Sequence, residues 1–454
     1  MGTRRTNPPA AAQVVVIGGG FGGLRLARAL SSRTARRAGI RVTLIDRHHH
    51  HTFQPLLYQV ATAGLQPQDI GISLRAALRD RGVDLRMGEV VDIDPFRRTV
   101  HLADGGWLGY DRLVLAVGAI ADHFGVPGVA EHAYGLKTLA DATILRNAVL
   151  GRLEAASAAQ GAGWGPTSER RERDREPGPD MTFVVAGGGP TGVELAGSLA
   201  ELVDLVIRHD HPDLEMSNVR ILLIEPRERL LGAFSPASSE HARQQLERRG
   251  VEVRLGVGVA RAAADHVELT DGEVVATRTL VWAAGVAASP LAAALGAPLT
   301  TGRRVAVDEH LRGGGCGDVF AIGDVAGFPV AAGYLPQVAP VAMQQADHVA
   351  RTILRGPASE GFRYRDKGSM ATIGRAAAVA ELPGRIRLRG MLGWVAWLAL
   401  HLLQLVGFKN RFGVLASWIW NYVTVDHAAR LILDQREAGQ VETGHGWVRR
   451  RWAA

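Results

Sequence analysis

The feature that most constrains this chain is a glycine-rich turn between a buried strand and a helix, because it occurs twice. The first copy comprises the strand Val14–Ile17, the turn Gly18-x-Gly20-x-x-Gly23, the helix Leu24–Leu30, the strand Arg41–Ile45 and the acid Asp46. The second comprises the strand Phe183–Ala186, the turn Gly187-x-Gly189-x-x-Gly192, the helix Val193–Leu205, the strand Val219–Ile224 and the acid Glu225. Two such units predict an α/β chain with two doubly wound domains.

Each residue type in this pattern suits the binding of a dinucleotide. The first glycine permits a tight turn, the second lets the backbone approach a pyrophosphate, and the third packs the helix on the strand. The helix N-terminus offers N–H groups to the phosphates, and the acid accepts hydrogen bonds from ribose hydroxyls. The two Rossmann-like units therefore predict two dinucleotides. Glu225 favours NADH over NADPH, although Arg227 and Arg229 leave NADPH open.

Three further apolar strands end in glycine and help to divide the chain. They are Asp111–Gly118, Thr279–Gly285 and Val319–Gly323, the last followed by Asp324. The predicted partition is 1–133 and 301–380 for the first dinucleotide domain, 134–300 for the second, and 381–454 for a C-terminal region. Residues 155–180 are small, charged and rich in Pro and Gly, and they predict a mobile surface insertion.

The single cysteine, Cys316, excludes an internal disulfide framework, a CxxC redox pair and a four-cysteine metal site. We expect the four consecutive histidines, His48–His51, to be solvated rather than to bind a metal, because alternate residues of an extended run point to opposite sides. Residues 1–13 lack the apolar core of a signal peptide. No stretch before residue 390 is long and apolar enough to span a bilayer.

The net positive charge of the chain comes from its C-terminal region. The formal net charge is +7, and residues 360–454 hold 14 Lys and Arg against 7 Asp and Glu. Within this region, Met391–Phe408 is uncharged and is flanked by arginines. Six of the nine tryptophans also lie there, at positions 394, 397, 418, 420, 447 and 452. This composition is typical of a membrane–water interface and favours an amphipathic helical anchor on anionic lipid over nucleic-acid binding. A transmembrane helix and a helix buried in a dimer are the alternatives.

The two glycine turns, the paired Ala-Gly strand ends and Gly323-Asp324 resemble those of the glutathione-reductase-like flavoproteins, which have two dinucleotide-binding domains. In that superfamily the first turn and the Gly-Asp pair bind FAD, and the second turn binds the nicotinamide nucleotide. Its disulfide-reducing branch needs a cysteine pair beside the flavin. This chain has one cysteine, so the resemblance implies that electrons leave FAD by another route.

The stretch from Asp46 to Ala63 is more specific and is similar to the Asp-Arg-x-Asn-x-His-x-Phe-x-Pro-Leu-Leu-Tyr-Gln-Val-Ala signature of type II NADH dehydrogenases. Residues 335–345, 367–374 and 394–411 also match that family, so the resemblance covers residues 13–425. Two departures are His49 in place of the signature Asn, and Pro340 in place of the first Gln of the Ala-Gln-x-Ala-x-Gln quinone-site pattern. Gln344 is the one matching Gln in that pattern.

The resemblance implies FAD-dependent oxidation of NADH with transfer of two electrons to a membrane quinone, by a respiratory enzyme that pumps no protons. In the resembling enzymes the glutamate after the second glycine turn, here Glu194, lies near the nicotinamide–flavin junction, as a positioning and proton-relay group. A first-turn glutamate favoured only by the helix dipole is the alternative.

Gln344 and Gln345 are candidate quinone-site residues or flavin contacts. Lys367 is a candidate flavin-side residue or a surface lysine. The expected cofactor contacts are Gly18, Gly20, Phe21, Gly22, Gly23, Asp46, Arg47, Gln54, Pro55, Val90, Ala116, Gly118, Gly323, Asp324, Val341, Ala342, Gly187, Gly189, Pro190, Thr191, Gly192, Glu225, Ala284 and Gly285.

The resembling enzymes are peripheral, lie on the cytoplasmic face of the cell membrane and are often homodimers. Three other functions fit parts of the sequence. A soluble FAD/NADH reductase or an NADH oxidase of the same fold would not need the Trp-rich tail. A sulfide:quinone oxidoreductase would need catalytic cysteines. A redox-dependent binding protein would keep both nucleotide sites and dock through the tail.

Overall fold

The structure is a computed structural model that describes residues 12–161, 178–313, 315, 317–356, 360–424 and 430–432. Cys316, Trp447, Trp452 and residues 162–177 of the expected insertion lie outside this part of the chain. Backbone contacts group residues 12–52, 71–120 and 286–367 into one unit, and residues 53–70, 121–285 and those from 368 onward into a second. Residues 53–70 and 368–380 thus cluster with the second unit, whereas the predicted partition assigns them to the first domain.

The element bounds follow in chain order. The α-helices are α1 Phe21–Leu30, α2 Arg33–Arg37, α3 Leu57–Ala61, α4 Pro67–Ile70, α5 Leu74–Ala77, α6 Val129–His132, α7 Leu139–Gly161, α8 Pro190–His209, α9 Pro236–Glu247, α10 Ala339–Arg355, α11 Gly390–Gln404 and α12 Phe408–Thr424. The strands are β1 Gln13–Ile17, β2 Arg41–Asp46, β3 His50–Thr52, β4 Gly71–Ser73, β5 Val83–Met87, β6 Val90–Asp94, β7 Thr99–Leu102, β8 Trp107–Gly109, β9 Arg112–Leu115, β10 Ala119–Ala121, β11 Ala133–Tyr134, β12 Thr182–Ala186, β13 Arg220–Glu225, β14 Val251–Leu255, β15 Val259–Ala262, β16 His266–Leu269, β17 Val274–Ala276, β18 Thr279–Trp282, β19 Val286–Ala288, β20 Leu299–Thr300, β21 Arg304–Ala306, β22 Val319–Ala321, β23 Ala326–Gly327, β24 Pro329–Val330, β25 Gly333–Tyr334, β26 Ser369–Gly374, β27 Ala377–Leu382 and β28 Ile386–Arg389.

The first unit is built on a parallel sheet with the strand order β22-β9-β1-β2-β5. Strand β1 lies at its centre, and Val14, Val15 and Val16 are fully buried. Continuous apolar strands of this kind are typical of a parallel sheet that is covered on both faces. Helices α1 and α10 pack against each other, and their apolar residues share one core with the sheet.

The second unit repeats this arrangement in a parallel sheet with the order β11-β18-β12-β13-β14. In each sheet a glycine turn follows the central strand, and the acid ends the strand on one side. On the other side lies a strand that comes much later in the chain, β9 or β18. The strand order therefore reverses beside each glycine turn, which is where doubly wound sheets bind their ligands. The predicted fold class and both glycine-turn units are confirmed.

Three boundaries differ from the sequence prediction. Helix α7 continues to Gly161, so the expected loop from residue 155 begins as helix, because its alanines have high helix propensity. Helix α8 begins earlier than predicted, at Pro190, and ends later, at His209. The C-terminal region expected from residue 381 starts as the hairpin of β27 and β28, and helix begins only at Gly390.

The uncharged run Met391–Phe408 does not form one continuous helix. Helix α11 ends at Gln404 and α12 starts at Phe408. Helix α11 buries Trp397, which is 1% exposed, while Leu392 and Leu403 on the same helix are 70% and 68% exposed. None of the helices in the described part of the chain is long and apolar enough to cross a membrane.

Candidate active site

The first glycine turn is closed by two backbone contacts that exclude any side chain. A Cβ atom on Gly18, which has φ of +103°, would collide with the carbonyl oxygen of Ala116. A Cβ on Gly23 would collide with the carbonyl oxygen of Gly18. A Cβ on Gly20 would meet nothing within 4 Å, and no described side chain caps α1 at this residue. The turn is therefore tightly packed at its ends and open in the middle, as a bound pyrophosphate requires.

The second glycine turn has the same construction. A Cβ on Gly187, which has φ of +112°, would lie 2.5 Å from the carbonyl oxygen of Ala283, and one on Gly192 would collide with the Gly187 carbonyl. The space beside Gly189 is open within 4 Å, and Pro190 begins α8. Proline suits this first helical turn because its missing N–H has no partner to lose there. The residues of both turns thus fit a dinucleotide.

The two acids, Asp46 and Glu225, bind their own glycine turns. Oδ2 of Asp46 accepts a hydrogen bond from the Gly19 N–H at 2.5 Å, and Oε2 of Glu225 accepts one from the Gly188 N–H at 2.6 Å. Burial opposes ionisation of Asp46, but hydrogen bonds from His48 and Gly19 outweigh it and lower the pKa of the carboxyl. Each acid therefore also fixes the turn, a role that the sequence analysis did not assign.

His51 is buried, whereas the sequence predicted a solvated run of imidazoles. Its Nδ1 lies 3.0 Å from the Gly19 carbonyl oxygen, and its ring contacts Phe21 edge-on at 5.1 Å. Burial lowers the pKa of His51, so the ring is neutral at pH 7, and Nδ1 carries the proton because the carbonyl only accepts. Within strand β3 the alternation turns His51 inward while its neighbours His50 and Thr52 stay half-buried, and this alternation is the signal that the sequence contained.

The Gly323–Asp324 segment is held by helix α10. Gln345 is fully buried, and its Oε1 accepts a hydrogen bond from the Gly323 N–H at 2.7 Å. Gln344 makes two hydrogen bonds with the backbone of Arg365, at 2.9 and 3.0 Å. Pro340 stands in the first turn of α10, where proline is favoured. The contacts of both glutamines are therefore with the backbone of the first unit.

The other predicted cofactor residues lie near the turns or on the surface. Arg47 and Lys367 are exposed, and Gln54 is exposed in a short 3-10 helix with Pro55. Val90 starts β6, and Val341 and Ala342 are buried at the start of α10. Ala116 and Gly118 follow β9, while Ala284 and Gly285 follow β18, so both pairs lie at the carboxyl ends of strands beside the glycine turns.

Glu194 lies in the first turns of α8 and is 8% exposed. Burial raises its pKa to about 8, although the Thr372 N–H, 3.3 Å from Oε1, and the Trp397 side chain offset part of that rise. Tyr58 from α3 is also buried there, and its pKa is raised well above the usual value by burial and by Glu194. A carboxyl with this pKa is mostly protonated at pH 7 and can donate a proton.

A cavity of about 610 Å³ opens in the second unit beside this cluster. Its apolar lining includes three indole rings, Trp394, Trp397 and Trp418. Trp397 stacks on His401 with ring centroids 4.0 Å apart, and burial lowers the pKa of His401 to about 4. Tyr58 and Trp397 line the cavity, and neither was predicted to do so. The spacing of four residues could have joined Trp397 to His401 on one face of α11, but no spacing joins either residue to Tyr58.

Two open glycine turns, each at the switch point of a doubly wound sheet, define a dinucleotide-binding protein. The profile of the pyridine nucleotide-disulphide oxidoreductase family matches residues 12–346, and that of the NDH2 C-terminal domain matches residues 367–425. The chain is 38% identical to the type II NADH:quinone oxidoreductase NdhA of Mycobacterium tuberculosis, with 89% of this chain and 86% of that one covered. It is 36% identical to Ndh of the same organism over 94% and 92% of the two chains. This chain belongs to the family of type II NADH:quinone oxidoreductases.

Solved structures support the fold. The structure of NDH2 from Plasmodium falciparum in complex with NADH superimposes with a TM-score of 0.80 and 21% identity, covering 93% of this chain and all of that one. The sulfide:quinone oxidoreductase of Aquifex aeolicus gives a TM-score of 0.67 and 20% identity, covering 93% and 96% of the two chains. The glutathione-reductase-like architecture that the sequence predicted is confirmed.

We predict that His51→Ala weakens FAD retention by about tenfold, because it removes a buried donor to Gly19 and the ring that packs on Phe21. The measurement is the flavin absorbance that remains on the protein after dialysis. His49→Ala, an exposed neighbour on the same run, is the matched control and should retain FAD like the wild type. Equal retention by both variants would show that His51 does not support the turn.

Proposed function

We propose that this chain oxidises NADH and transfers the two electrons through FAD to a membrane quinone, without pumping protons. The observation that carries the proposal is the pair of glycine turns with room at Gly20 and Gly189, in a chain that belongs to this family. When bound, FAD supplies the redox chemistry, taking a hydride from NADH and passing two electrons to the quinone. The protein residues bind, orient and supply protons.

The first unit is proposed to hold FAD and the second to hold NADH. The Gly19 N–H and the Gly188 N–H are fixed by Asp46 and Glu225, so each turn is preorganised to receive a pyrophosphate. Gln345 would keep the Gly323–Asp324 segment in place for FAD, and Gln344 would order residue 365. Lys367 stays a proposed flavin-side residue with an exposed side chain.

Glu194 is proposed as the group that gives a proton to a quinone oxygen. The uptake of two electrons by a quinone creates basic oxygens that need protons, and Glu194 is a buried carboxyl that holds one at neutral pH. The indole-lined cavity of the second unit provides an apolar space for a quinone ring beside Trp397 and Thr372. Re-protonation of Glu194 would then complete the turnover.

The function is tested by measuring NADH oxidation by the FAD-loaded protein with and without a short-chain quinone. We expect quinone to accelerate oxidation by at least about tenfold, and NADH to be preferred over NADPH because of Glu225. Oxidation that proceeds equally well without quinone would identify an NADH oxidase. No turnover with either would favour a binding protein, and a preference for NADPH would contradict the assignment of Glu225.

The pH dependence of turnover tests the role of Glu194. Its pKa of about 8 places the proton on the carboxyl below that pH, so activity is present at pH 7 and is lost as the pH rises through 8. We expect kcat to fall about tenfold between pH 7 and pH 9. Glu194→Gln should lower kcat at pH 7 and should abolish the alkaline limb, which is the fall of kcat above pH 7. Glu131→Gln, at an exposed residue, is the control and should keep the alkaline limb. The same limb in wild type and Glu194→Gln would contradict the role.

We further propose that helices α11 and α12 bind an anionic lipid surface. Their exposed apolar side chains include Leu392, Leu403, Phe412, Ile419 and Trp420, each more than half exposed. Arg387 and Arg389 of the preceding strand, and Arg385 just before it, are exposed as well. Exposed apolar side chains flanked by arginines are typical of proteins that lie on a membrane. A homodimer and a position on the cytoplasmic face stay predictions from the family resemblance.

The lipid surface is tested with the triple variant Leu392→Glu, Leu403→Glu and Phe412→Glu. Truncation at residue 390 is unsuitable, because α11 buries Trp397 in the second unit. We expect the triple variant to lose at least about tenfold in flotation with phosphatidylcholine and phosphatidylglycerol vesicles, while it still oxidises NADH with a water-soluble quinone. Phe96→Glu, at a residue 97% exposed in the first unit, is the control. Undiminished flotation of the triple variant would refute the proposal.

A further inference from the structure

One face of helix α8 carries two carboxyl groups that hold the same strand. Glu194, Gly197 and Glu201 are spaced by three and four residues, which places them on one side of the helix. Strand β26 crosses this side so closely that a Cβ on Gly197 would collide with the carbonyl oxygen of Ile373. The backbone of β26 therefore lies directly on α8 between the two acids.

Each acid accepts a hydrogen bond from a backbone N–H at one end of this contact. Oε1 of Glu194 accepts from the Thr372 N–H at 3.3 Å, and Oε1 of Glu201 accepts from the Arg375 N–H at 2.5 Å. The shorter of the two bonds, from the Arg375 N–H to Glu201, lies at the end of the contact that is farther from the glycine turn. Because Thr372 and Arg375 are three residues apart on one backbone, a shift of the chain at Arg375 would also move the Thr372 N–H away from Glu194.

Arg249 closes the far end of the contact. Its Nε donates to Glu201 at 3.3 Å, and another guanidinium nitrogen donates to the Arg375 carbonyl at 3.0 Å. The last residue of β26, Gly374, has φ of +135°, and a Cβ there would lie 2.7 Å from Nε of Arg249. Arg249 thus bridges α8 and the hairpin turn with both partners in place.

The surroundings of the two acids differ in charge. Glu201 faces two cationic residues, Arg249 and Arg375, and both favour its ionised form. No cation among the described residues pairs with Glu194, which faces Tyr58 from α3, Trp397 from α11 and the strand N–H from β26. The Thr372 N–H is therefore the one backbone donor shown to stabilise its carboxylate form.

We propose that Arg249 and Glu201 are positioning residues that hold strand β26 on helix α8, so that the Thr372 N–H stays on the Glu194 carboxylate. This inference rests on the proposed function for its effect on turnover, since Glu194 is the proton donor there. Arg249 is not among the residues that line the indole-lined cavity, whereas Glu201 lines it. Both act on the proton-donating group through the backbone between Thr372 and Arg375.

The test replaces Arg249 by Lys, which keeps the charge near Glu201 but cannot bridge Glu201 and the Arg375 carbonyl with a planar fork. A hydrogen bond to the charged form lowers a carboxyl pKa, so its loss raises that pKa. We expect the pKa of Glu194 to rise by about 0.5–1 unit, with a parallel shift of the pH limb of kcat. The matched control is Arg243→Lys, at an arginine that pairs with Glu240 and Glu247 on the surface of α9.

The pKa of Glu194 is measured by infrared titration of the holoenzyme in the absence of substrates. The band to follow is the protonated carboxyl band that the wild type shows and Glu194→Gln lacks. Amide exchange over residues 369–376 should be about tenfold faster in Arg249→Lys and in Glu201→Gln than in the control. Glu201→Gln removes the carboxylate that Arg249 and the Arg375 N–H both contact, and it leaves a neutral side chain on α8. It is the alternative test if Arg249→Lys folds poorly.

The two proposals fail in different ways. An unshifted Glu194 band together with unchanged amide exchange overturns the positioning role, even when quinone turnover is normal. A lower kcat at every pH with an unmoved limb also overturns it, since that result reports a general loss of stability. A shifted band in a protein that does not reduce quinone leaves the positioning role intact and refutes the proposed function.

Discussion

A close contact between a glycine and a backbone carbonyl oxygen occurs at both glycine turns and again where strand β26 lies on helix α8. Gly23 lies on the Gly18 carbonyl, Gly192 lies on the Gly187 carbonyl, and Gly197 lies on the Ile373 carbonyl. At all three positions a single methyl group would force the backbones apart. The first two contacts bring a helix N-terminus onto a strand end and leave the middle of the turn open for a phosphate. The third brings a strand N–H within reach of a buried carboxyl on the same helix.

The parts of the fold that follow from local sequence could be predicted. The strand before each glycine turn is apolar over its whole length, and the acid after it ends the next strand, as Asp46 and Glu225 do in the structure. Spacing and residue type are sufficient here because the turn, the helix start and the paired strands lie within about fifty residues. The family resemblance also singled out Glu194, although it did not describe its surroundings, and the run His48–His51 was expected to be solvated.

The remaining features depend on contacts between distant parts of the chain. Burial raises the pKa of Glu194 among Tyr58, Thr372 and Trp397, and each of these residues lies more than 100 positions from Glu194 in sequence. Gln345 was a candidate quinone-site residue or flavin contact, and its side chain accepts a hydrogen bond from the Gly323 N–H. The burial of His51 depends on a strand of three residues and a carbonyl thirty-two residues earlier. No periodicity in one segment can report such contacts.

Successive turns of helix α8 make different contacts. Its first residues close the second glycine turn, its second turn carries Glu194 among apolar rings, and its fourth turn carries Glu201 paired with Arg249. Burial raises the pKa of both glutamates, but at Glu201 two guanidinium groups offset part of the rise, whereas Glu194 meets only neutral groups and a backbone N–H. A carboxyl that must release a proton near neutral pH needs burial without a counter-ion, and such a group destabilises the packing around it. The ion pair between Arg249 and Glu201 lies two turns away, and the charge of Arg249 is not among the influences that lower the pKa of Glu194, the proposed donor.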